Sequence, residues 1–198
     1  RCTTSTTMQI QNSTFVVTGG ASGLGEATVE AFHQRGANVV IADRDRERGE
    51  ALASRLGART LFQHTDVADV ASASACIAVT VAHFGSIHGL VNCAGIGVAE
   101  KILGKAGPQP LERFARVISV NLLGTFNMLS QAASAMSAGA PNDAGERGVI
   151  VNTASAAAFE GQIGQAAYAA SKGGVVSLTL PAARELARSG IRVATIAP

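Results

Sequence analysis

Six short apolar runs alternate with five longer helical patterns along this chain, and that alternation constrains its fold more than any other feature. A turn rich in Gly or Asp follows most of the apolar runs, before the next helical pattern begins. The predicted strands are residues 15–17, 38–42, 60–63, 89–92, 149–152 and 191–196, and the predicted helices are residues 24–35, 46–56, 70–84, 111–136 and 166–188. This order favours the α/β class: a doubly wound parallel sheet between two helical layers, in one domain.

The composition suits such a fold. Hydrophobic residues make up 47% of the chain but aromatic residues only 4%, so the core must consist mainly of Ala, Val, Ile and Leu. A length of 198 residues suffices for one domain. Residues 97–110 and 137–148, which are rich in Gly, Pro, Asn and Ala, are predicted surface insertions, and Pro181 should bend the last helix.

Charge and cysteine usage exclude several classes of function. Sixteen basic and fourteen acidic residues give a net charge of +2 without a basic run, so we expect no nucleic-acid partner. The three cysteines and four histidines show no metal-ligand spacing, and no apolar stretch is long enough to span a membrane. We therefore expect a reduced, metal-free cytoplasmic protein. Residues 1–7 are expected to be a tail or tag remnant before Met8, and residues 8–198 the domain.

A glycine-rich turn follows the first predicted strand and leads directly into a helix. Its sequence is TGGASGLG, from Thr18 to Gly25. Glycines allow a tight turn and a close backbone approach, so free amides and the positive helix end can face a pyrophosphate. An ordinary strand-to-helix turn has a similar pattern, so context must decide between the two.

Asp43 supplies part of that context. It closes the second predicted strand, 18 residues after Gly25, where a carboxylate can accept hydrogen bonds from both ribose hydroxyls of an adenosine. The same charge would repel a 2′-phosphate, whereas Arg44 could hold one. We expect NAD rather than NADP.

Tyr168, Lys172 and Ser155 are candidates for the chemistry. Tyr168 and Lys172 lie four residues apart on one predicted helix face, so the lysine ammonium can favour the phenolate as a general base. Ser155 follows a predicted strand, at the sheet edge where ligands bind in open α/β folds, and its hydroxyl could donate to a substrate oxygen. Asn121 lies inside a helical pattern despite its poor helix propensity, which suggests a buried polar role.

These motifs together resemble the short-chain dehydrogenase/reductase family, which has a Rossmann-type fold. The resemblance extends from about Phe15 to Pro198. It is carried by the glycine turn, Asp66-Val67, NCAG at residues 92–95, NLLGTF around Asn121, Ser155, and YAASK at residues 168–172. The run from Asn152 to Gly174 is most similar to the 3-hydroxyacyl-CoA dehydrogenase branch, whose members also act on hydroxysteroids. The implied reaction is hydride transfer between NAD and a secondary alcohol or ketone in lipid metabolism.

The resemblance also implies a role for each matching residue. Tyr168 would be the acid/base, Lys172 would favour its phenolate form and hold the nicotinamide ribose, and Ser155 would orient the reacting oxygen. Asn121 would fix a water in a proton relay, and Gln162 would line the substrate pocket. The implied cofactor-binding residues are Gly19, Ser22, Gly23, Leu24, Gly25, Asp43, Asp66, Val67, Cys93, Tyr168 and Lys172.

Two further expectations concern the end of the chain and its assembly. The family pattern continues past Ala197-Pro198 with a substrate-covering loop and a last strand, so substrate identity is the least constrained property. Apolar or small residues on several faces of the two longest predicted helices indicate subunit contacts, and the resemblance implies a homotetramer. Those residues are Ala132, Ala133, Val175, Val176 and Leu178.

Two alternatives stay open at this point. One is an NADP-dependent 3-oxoacyl reductase, which Asp43 disfavours. The other is a nucleotide-binding scaffold without turnover, which would have no need to keep Ser155, Tyr168 and Lys172 together.

Overall fold

A six-stranded parallel sheet dominates the computed structural model, which describes residues 8–198. The strands, including a separate two-stranded hairpin (β5 and β6), are β1 (Thr14–Thr18), β2 (Asn38–Asp43), β3 (Thr60–His64), β4 (Gly89–Asn92), β5 (Leu103–Gly104), β6 (Gly107–Pro108), β7 (Gly148–Thr153) and β8 (Ile191–Ile196). The helices are α1 (Gly23–Gln34), α2 (Arg46–Leu56), α3 (Val70–Phe84), α4 (Leu111–Ile118), α5 (Gly124–Ala138) and α6 (Ala166–Leu186).

Local capping explains why the second and third helices match their predicted limits. The carboxylates of Asp45 and Asp69 accept hydrogen bonds from backbone N–H groups in the first turns of α2 and α3. Gly57 and Gly85, at φ of 83° and 81°, end the two helices in a conformation that favours glycine. Both signals are visible in the sequence.

The strand order is β3-β2-β1-β4-β7-β8. The chain builds outward from β1 to β3, then returns to the other side of β1 with β4. Adjacent loops therefore diverge at the carboxyl ends of β1 and β4 and leave a crevice, which is where open α/β sheets bind ligands. The NCAG segment follows β4 at this crevice.

Two hydrophobic clusters, one on each face of the sheet, hold the three layers together. Side chains alternate along the strands, so Val16 and Leu90 pack towards α3, α5 and α6, whereas Phe15 and Val17 pack towards α1 and α2. The fold is the predicted single-domain, three-layer Rossmann-type fold.

Three details differ from the predicted elements. The helix predicted over residues 111–136 is interrupted by a π-helical turn, Ser119–Leu123, between α4 and α5. The predicted insertion at 97–110 contains the β5–β6 hairpin. The last helix, predicted to end at residue 188, ends at Leu186, with Pro181 inside it as predicted. The predicted tail, residues 1–7, lies outside the described residues. Within residues 8–198, no helix is both long and apolar enough to cross a bilayer.

Candidate active site

The glycine-rich turn between β1 and α1 forms one wall of a cavity of about 390 Å³. Gly19 has φ of 63°, and a Cβ there would lie 2.8 Å from the backbone of Ala94. A Cβ on Gly25 would overlap the carbonyl of Gly19, so neither position accepts a larger residue without moving the backbone. Ser22 precedes α1 without a side-chain capping bond, which leaves first-turn N–H groups free for an anion.

Two acidic residues, Asp43 and Asp66, also line this cavity. Asp43 Oδ2 accepts from the N–H of Ala21 at 2.9 Å, and Oδ1 accepts from the N–H of Asp45 at 2.9 Å, so the carboxylate is held against the glycine turn. Arg44 lies 3.6 Å from Asp66 through Nε and Oδ2. The guanidinium of Arg44 is therefore paired with a carboxylate.

All the predicted nucleotide-binding residues outside the catalytic helix line this cavity. They are Gly19, Ser22, Gly23, Leu24, Gly25, Asp43, Asp66, Val67 and Cys93. The set combines a backbone cradle, free helix amides and a carboxylate, and so fits a dinucleotide with a pyrophosphate and a ribose diol.

A second cavity, of about 630 Å³, continues from the first at the carboxyl edge of β4 and β7. The two cavities share the lining residues Leu24, Cys93, Gly95 and Ile96. Ser155, Tyr168 and Lys172, which come from two separate segments, line the second cavity together. Three of the four predicted catalytic residues thus lie at one end of a continuous cleft and the predicted nucleotide-binding residues at the other, whereas Asn121 lines neither cavity.

Tyr168 and Lys172 project from α6 one helical turn apart. Lys172 Nζ lies 5.7 Å from the centre of the Tyr168 ring and donates to the Thr153 carbonyl at 2.6 Å. Only 5% of Lys172 is exposed, and this burial lowers the pKa of its ammonium from the ordinary value. The end of β7 therefore positions a buried cation beside the phenol.

Ser155 is positioned by the turn that follows β7. It caps the short 3₁₀ helix Ala156–Ala158, and its Oγ accepts from the N–H of Ala157 at 3.2 Å. That bond uses an oxygen lone pair, and the hydroxyl proton is directed to the Pro198 carbonyl at 3.4 Å, a long bond that a substrate oxygen can replace. A hydroxyl of this kind, in the same cavity as Tyr168, can hold the oxygen of a carbonyl or an alcohol.

Asn121 is fully buried in the π-helical turn. Its Oδ1 accepts from the Ile96 N–H at 2.8 Å, and its Nδ2 donates to the Ile96 carbonyl at 2.9 Å and to Ser171 Oγ at 3.0 Å. Ser171, also fully buried, donates in turn to the Tyr168 carbonyl at 2.7 Å. The Asn121 side chain therefore fixes the loop after β4 to the helix that carries Tyr168.

A row of buried polar side chains supports the carboxyl ends of three strands. Thr18 donates to Asn92 Oδ1 at 3.3 Å, and Asn92 Nδ2 donates to Asn152 Oδ1 at 3.0 Å. These residues occupy matching register positions in β1, β4 and β7. Their hydrogen bonds fix the relative height of the next residues along the chain, Cys93 just after β4 and Thr153 at the end of β7.

Cys93 lies between the two cavities. Its Sγ is 3.8 Å from Thr153 Oγ1, and burial raises the pKa of its thiol. A thiol with a raised pKa is a poor nucleophile, so the residue contributes shape rather than reactivity.

Gln162 and Gln165 show where the sequence prediction was incomplete. Gln162 lies in a neighbouring recess with Lys101 and Ile163 rather than along the cavity of Ser155. Gln165, which the sequence analysis passed over, lines both spaces. The one sequence signal for Gln165 was its position one helical turn before Tyr168, which places the two residues on the same side of the helix.

The fold and the site together define a class of protein: a dinucleotide-binding α/β oxidoreductase with a Tyr, Lys and Ser beside the cofactor cleft. Within residues 8–198, no group of His, Cys, Asp and Glu side chains could hold a metal ion. A tyrosine with a neighbouring buried lysine supplies acid/base chemistry without one.

Comparison with known proteins identifies the family. Residues 13–198 match the family model described as short chain dehydrogenase. The human 3-hydroxyacyl-CoA dehydrogenase type-2 is 51% identical over 185 residues, covering 92% of this chain and 71% of the human protein. The Drosophila melanogaster protein of the same name is 49% identical over 191 residues, covering 96% of this chain and 75% of that protein.

A solved structure gives the same result. The crystal structure of 3-hydroxyacyl-CoA dehydrogenase type-2 from Mycobacterium avium superimposes with a TM-score of 0.91 at 45% identity, covering 97% of this chain and 76% of that one. The chain belongs to the short-chain dehydrogenase family and is an oxidoreductase closely related to 3-hydroxyacyl-CoA dehydrogenase type-2. The scaffold alternative is thereby set aside.

Proposed function

We propose that this protein is an NAD-dependent dehydrogenase that oxidises 3-hydroxyacyl-CoA thioesters to 3-oxoacyl-CoA thioesters, with hydroxysteroids as further substrates. The observation that carries the proposal is the single cleft that joins the glycine turn and Asp43 to Ser155, Tyr168 and Lys172. The substrate class is supported by the names of the relatives that are about half identical to the chain.

In this proposal, Ser155 and Tyr168 hold the hydroxyl oxygen of the substrate while two substrate bonds break, the O–H bond and the C–H bond at C3. The proton passes to the Tyr168 oxygen, and the dinucleotide, when bound, accepts the hydride. Lys172 stabilises the phenolate from which the reaction starts and holds the nicotinamide ribose. Asn121 is proposed to take part in the relay that returns the proton to water. The reverse sequence reduces the ketone.

The preference for NAD rests on Asp43. A 2′-phosphate about 4 Å from this carboxylate would be repelled by roughly 1 to 4 kcal/mol, depending on the effective dielectric. Arg44 is the residue that could compensate, but Asp66 already lies beside its guanidinium. The NADP-dependent reductase is therefore the weaker candidate.

Calorimetric titration with NAD and NADP tests the cofactor, using Asp43→Asn as the matched variant. NAD should bind at least tenfold more tightly to the wild-type protein, and the variant should narrow the difference. Equal affinities in the wild type would contradict the assignment. Absorbance of the reduced nicotinamide, followed with 3-hydroxyacyl-CoA thioesters and hydroxysteroids, tests the substrate class.

A further inference from the structure

Gln165 is the residue before α6 and lies between the catalytic cavity and the recess that contains Gln162. Its side chain accepts a hydrogen bond from the Gln162 backbone N–H at 2.9 Å. A backbone N–H can only donate, so the atom that faces it must be Oε1 rather than Nε2. The orientation of the amide is therefore determined, and Nε2 has no acceptor among residues 8–198.

The other polar groups of the catalytic cavity have partners or assigned roles. Lys172 Nζ donates to the Thr153 carbonyl, and Thr153 Oγ1 donates to Cys93 Sγ. The hydroxyls of Ser155 and Tyr168 are taken by the reacting oxygen under the proposed function. Gln165 Nε2 is left as a neutral donor at the cavity wall, without a partner of its own.

A donor of this kind needs an acceptor once a substrate displaces water from the cavity, because an unpaired N–H then loses its hydration without compensation. A 3-hydroxyacyl or 3-oxoacyl thioester carries such an acceptor. Its thioester carbonyl is separated from the reacting carbon by a single CH₂ group. Gln165 is one helical turn before Tyr168, on the same side of the helix, so the two donors can address two oxygens this close together.

We propose that Gln165 Nε2 donates to the thioester carbonyl oxygen and so selects substrates with a second carbonyl two carbons from the reacting centre. This inference rests on the proposed function and assigns a residue to its substrate preference. Simple ketones and alcohols, which lack the second oxygen, gain nothing from Gln165.

Two variants distinguish the role of the Gln165 Nε2 donor from that of the hydrogen bond between Gln165 Oε1 and the Gln162 N–H. Gln165→Leu removes both the donor and the acceptor, whereas Gln165→Glu keeps an oxygen for the Gln162 N–H but places a second oxygen where the donor was. Glu160→Gln, an exposed change in the same loop, is the control. The measurement is kcat/KM of the full chain for reduction of acetoacetyl-CoA and of cyclohexanone, which lacks a second carbonyl.

Both Gln165 variants should lower kcat/KM for acetoacetyl-CoA about tenfold, the size expected for one neutral hydrogen bond, and leave cyclohexanone within twofold. Glu160→Gln should change neither value. Equal losses on both substrates, or no loss on either, would overturn the inference while the wild-type activity upholds the proposed function. Absence of wild-type turnover of acetoacetyl-CoA would overturn the proposed function, and this inference with it.

Discussion

Tyr168 is the residue whose removal tests the proposed chemistry most directly. Tyr168→Phe keeps the ring that packs in the cavity but deletes the oxygen that exchanges a proton with the substrate. We expect turnover to be lost while NAD affinity stays within about twofold. Steady-state kinetics across pH, with NAD affinity measured separately by calorimetry, would show this. A variant that kept a tenth of the parent rate would refute the acid/base role.

Lys172→Ala provides the comparison. Because Lys172 is proposed to serve both the phenol and the ribose, this variant should lose turnover and NAD affinity together. Ser155→Ala should lose rate alone, by roughly 2.7 to 4 kcal/mol of transition-state stabilisation if it behaves like other deleted donors.

His88 gives the protein a pH-dependent contribution to stability far from the cleft. Its Nδ1 accepts a hydrogen bond from the buried Thr14 N–H at 3.0 Å, which only the neutral imidazole can do. Burial lowers the pKa of His88 below its ordinary value of 6.5. The stabilisation is therefore complete above about pH 6.5 and is lost as the pH falls through the lower pKa of the folded protein.

Denaturant unfolding at a series of pH values measures this contribution. His88→Asn keeps an acceptor that does not titrate, so its stability should fall less between pH 7 and 5 than that of the wild type. His88→Leu leaves the Thr14 N–H unpaired and should cost about 1 to 3 kcal/mol at neutral pH. Identical pH profiles for wild type and His88→Asn would show that His88 does not titrate as described.

Some residue-level features were readable from the sequence and others were not. That Tyr168, Lys172 and Ser155 line one cavity could be predicted because the sequence resembles a family motif in order and spacing. The contact of His88 with Thr14 joins residues 74 positions apart, and the bond from Gln165 to Gln162 depends on the loop conformation. Neither leaves a periodic signal.

At the scale of elements, the joint between the π-helical turn and α5 depends on Gly124. A Cβ there would lie 2.5 Å from Val67 Cγ2 and 3.1 Å from its Cβ, and a β-branched residue has little freedom to move away. Val67 lines the nucleotide cavity. Gly124→Ala should therefore cost about 1 to 3 kcal/mol of unfolding free energy and weaken NAD binding.

Gly173→Ala in α6 is the matched control. A Cβ at Gly173 meets only the Ala158 carbonyl, at 4.0 Å, so helix propensity should dominate and stabilise the protein by about 0.5 to 1 kcal/mol. Denaturant unfolding and NAD titration of the two variants give the comparison. Similar changes in both would indicate that Val67 yields to the added methyl group.

The helix limits show what a sequence can and cannot predict at this scale. The limits of α2 and α3 were predicted because Asp45, Asp69, Gly57 and Gly85 act on the backbone beside them. The π-helical turn was not predicted because it depends on the hydrogen bonds of Asn121 to Ile96, in a loop distant along the chain. The helical spacing of apolar residues does not reveal such a contact. The β5–β6 hairpin pairs only two residues per strand, too few for a period-2 pattern.

At the scale of the whole molecule, a groove of about 490 Å³ between α5 and α6 is the candidate subunit contact. Of the residues expected to reach a partner, Ala132, Ala133 and Val175 are buried within the protomer itself. Leu178 lines the groove, together with Phe126, which is 52% exposed. An apolar groove with an exposed phenylalanine suits a contact with a second copy of the chain.

Ser134 lies exposed in this groove, so Ser134→Arg places a charge there without disturbing the core. We expect sedimentation to give a tetramer for the wild type and a smaller species for the variant. Ser74→Arg, on the exposed face of α3, should leave the assembly intact. A wild-type monomer at micromolar concentration would contradict the proposed tetramer.

The strand order has a consequence for the order in which the molecule folds. The strands β1, β2 and β3 pair with near neighbours in the chain, whereas β4 joins β1 across 74 residues, as between Thr18 and Asn92, and β7 joins β4 across 60 residues, as between Asn92 and Asn152. Closing either of these long loops costs more entropy than pairing the first three strands. Because β1 to β4 all precede Ser155 and Tyr168 in the chain, the nucleotide-facing half of the sheet leaves the ribosome first. Free dinucleotide in the cell could stabilise this partly folded chain by mass action, so that the cofactor-binding part forms before the catalytic residues are in place.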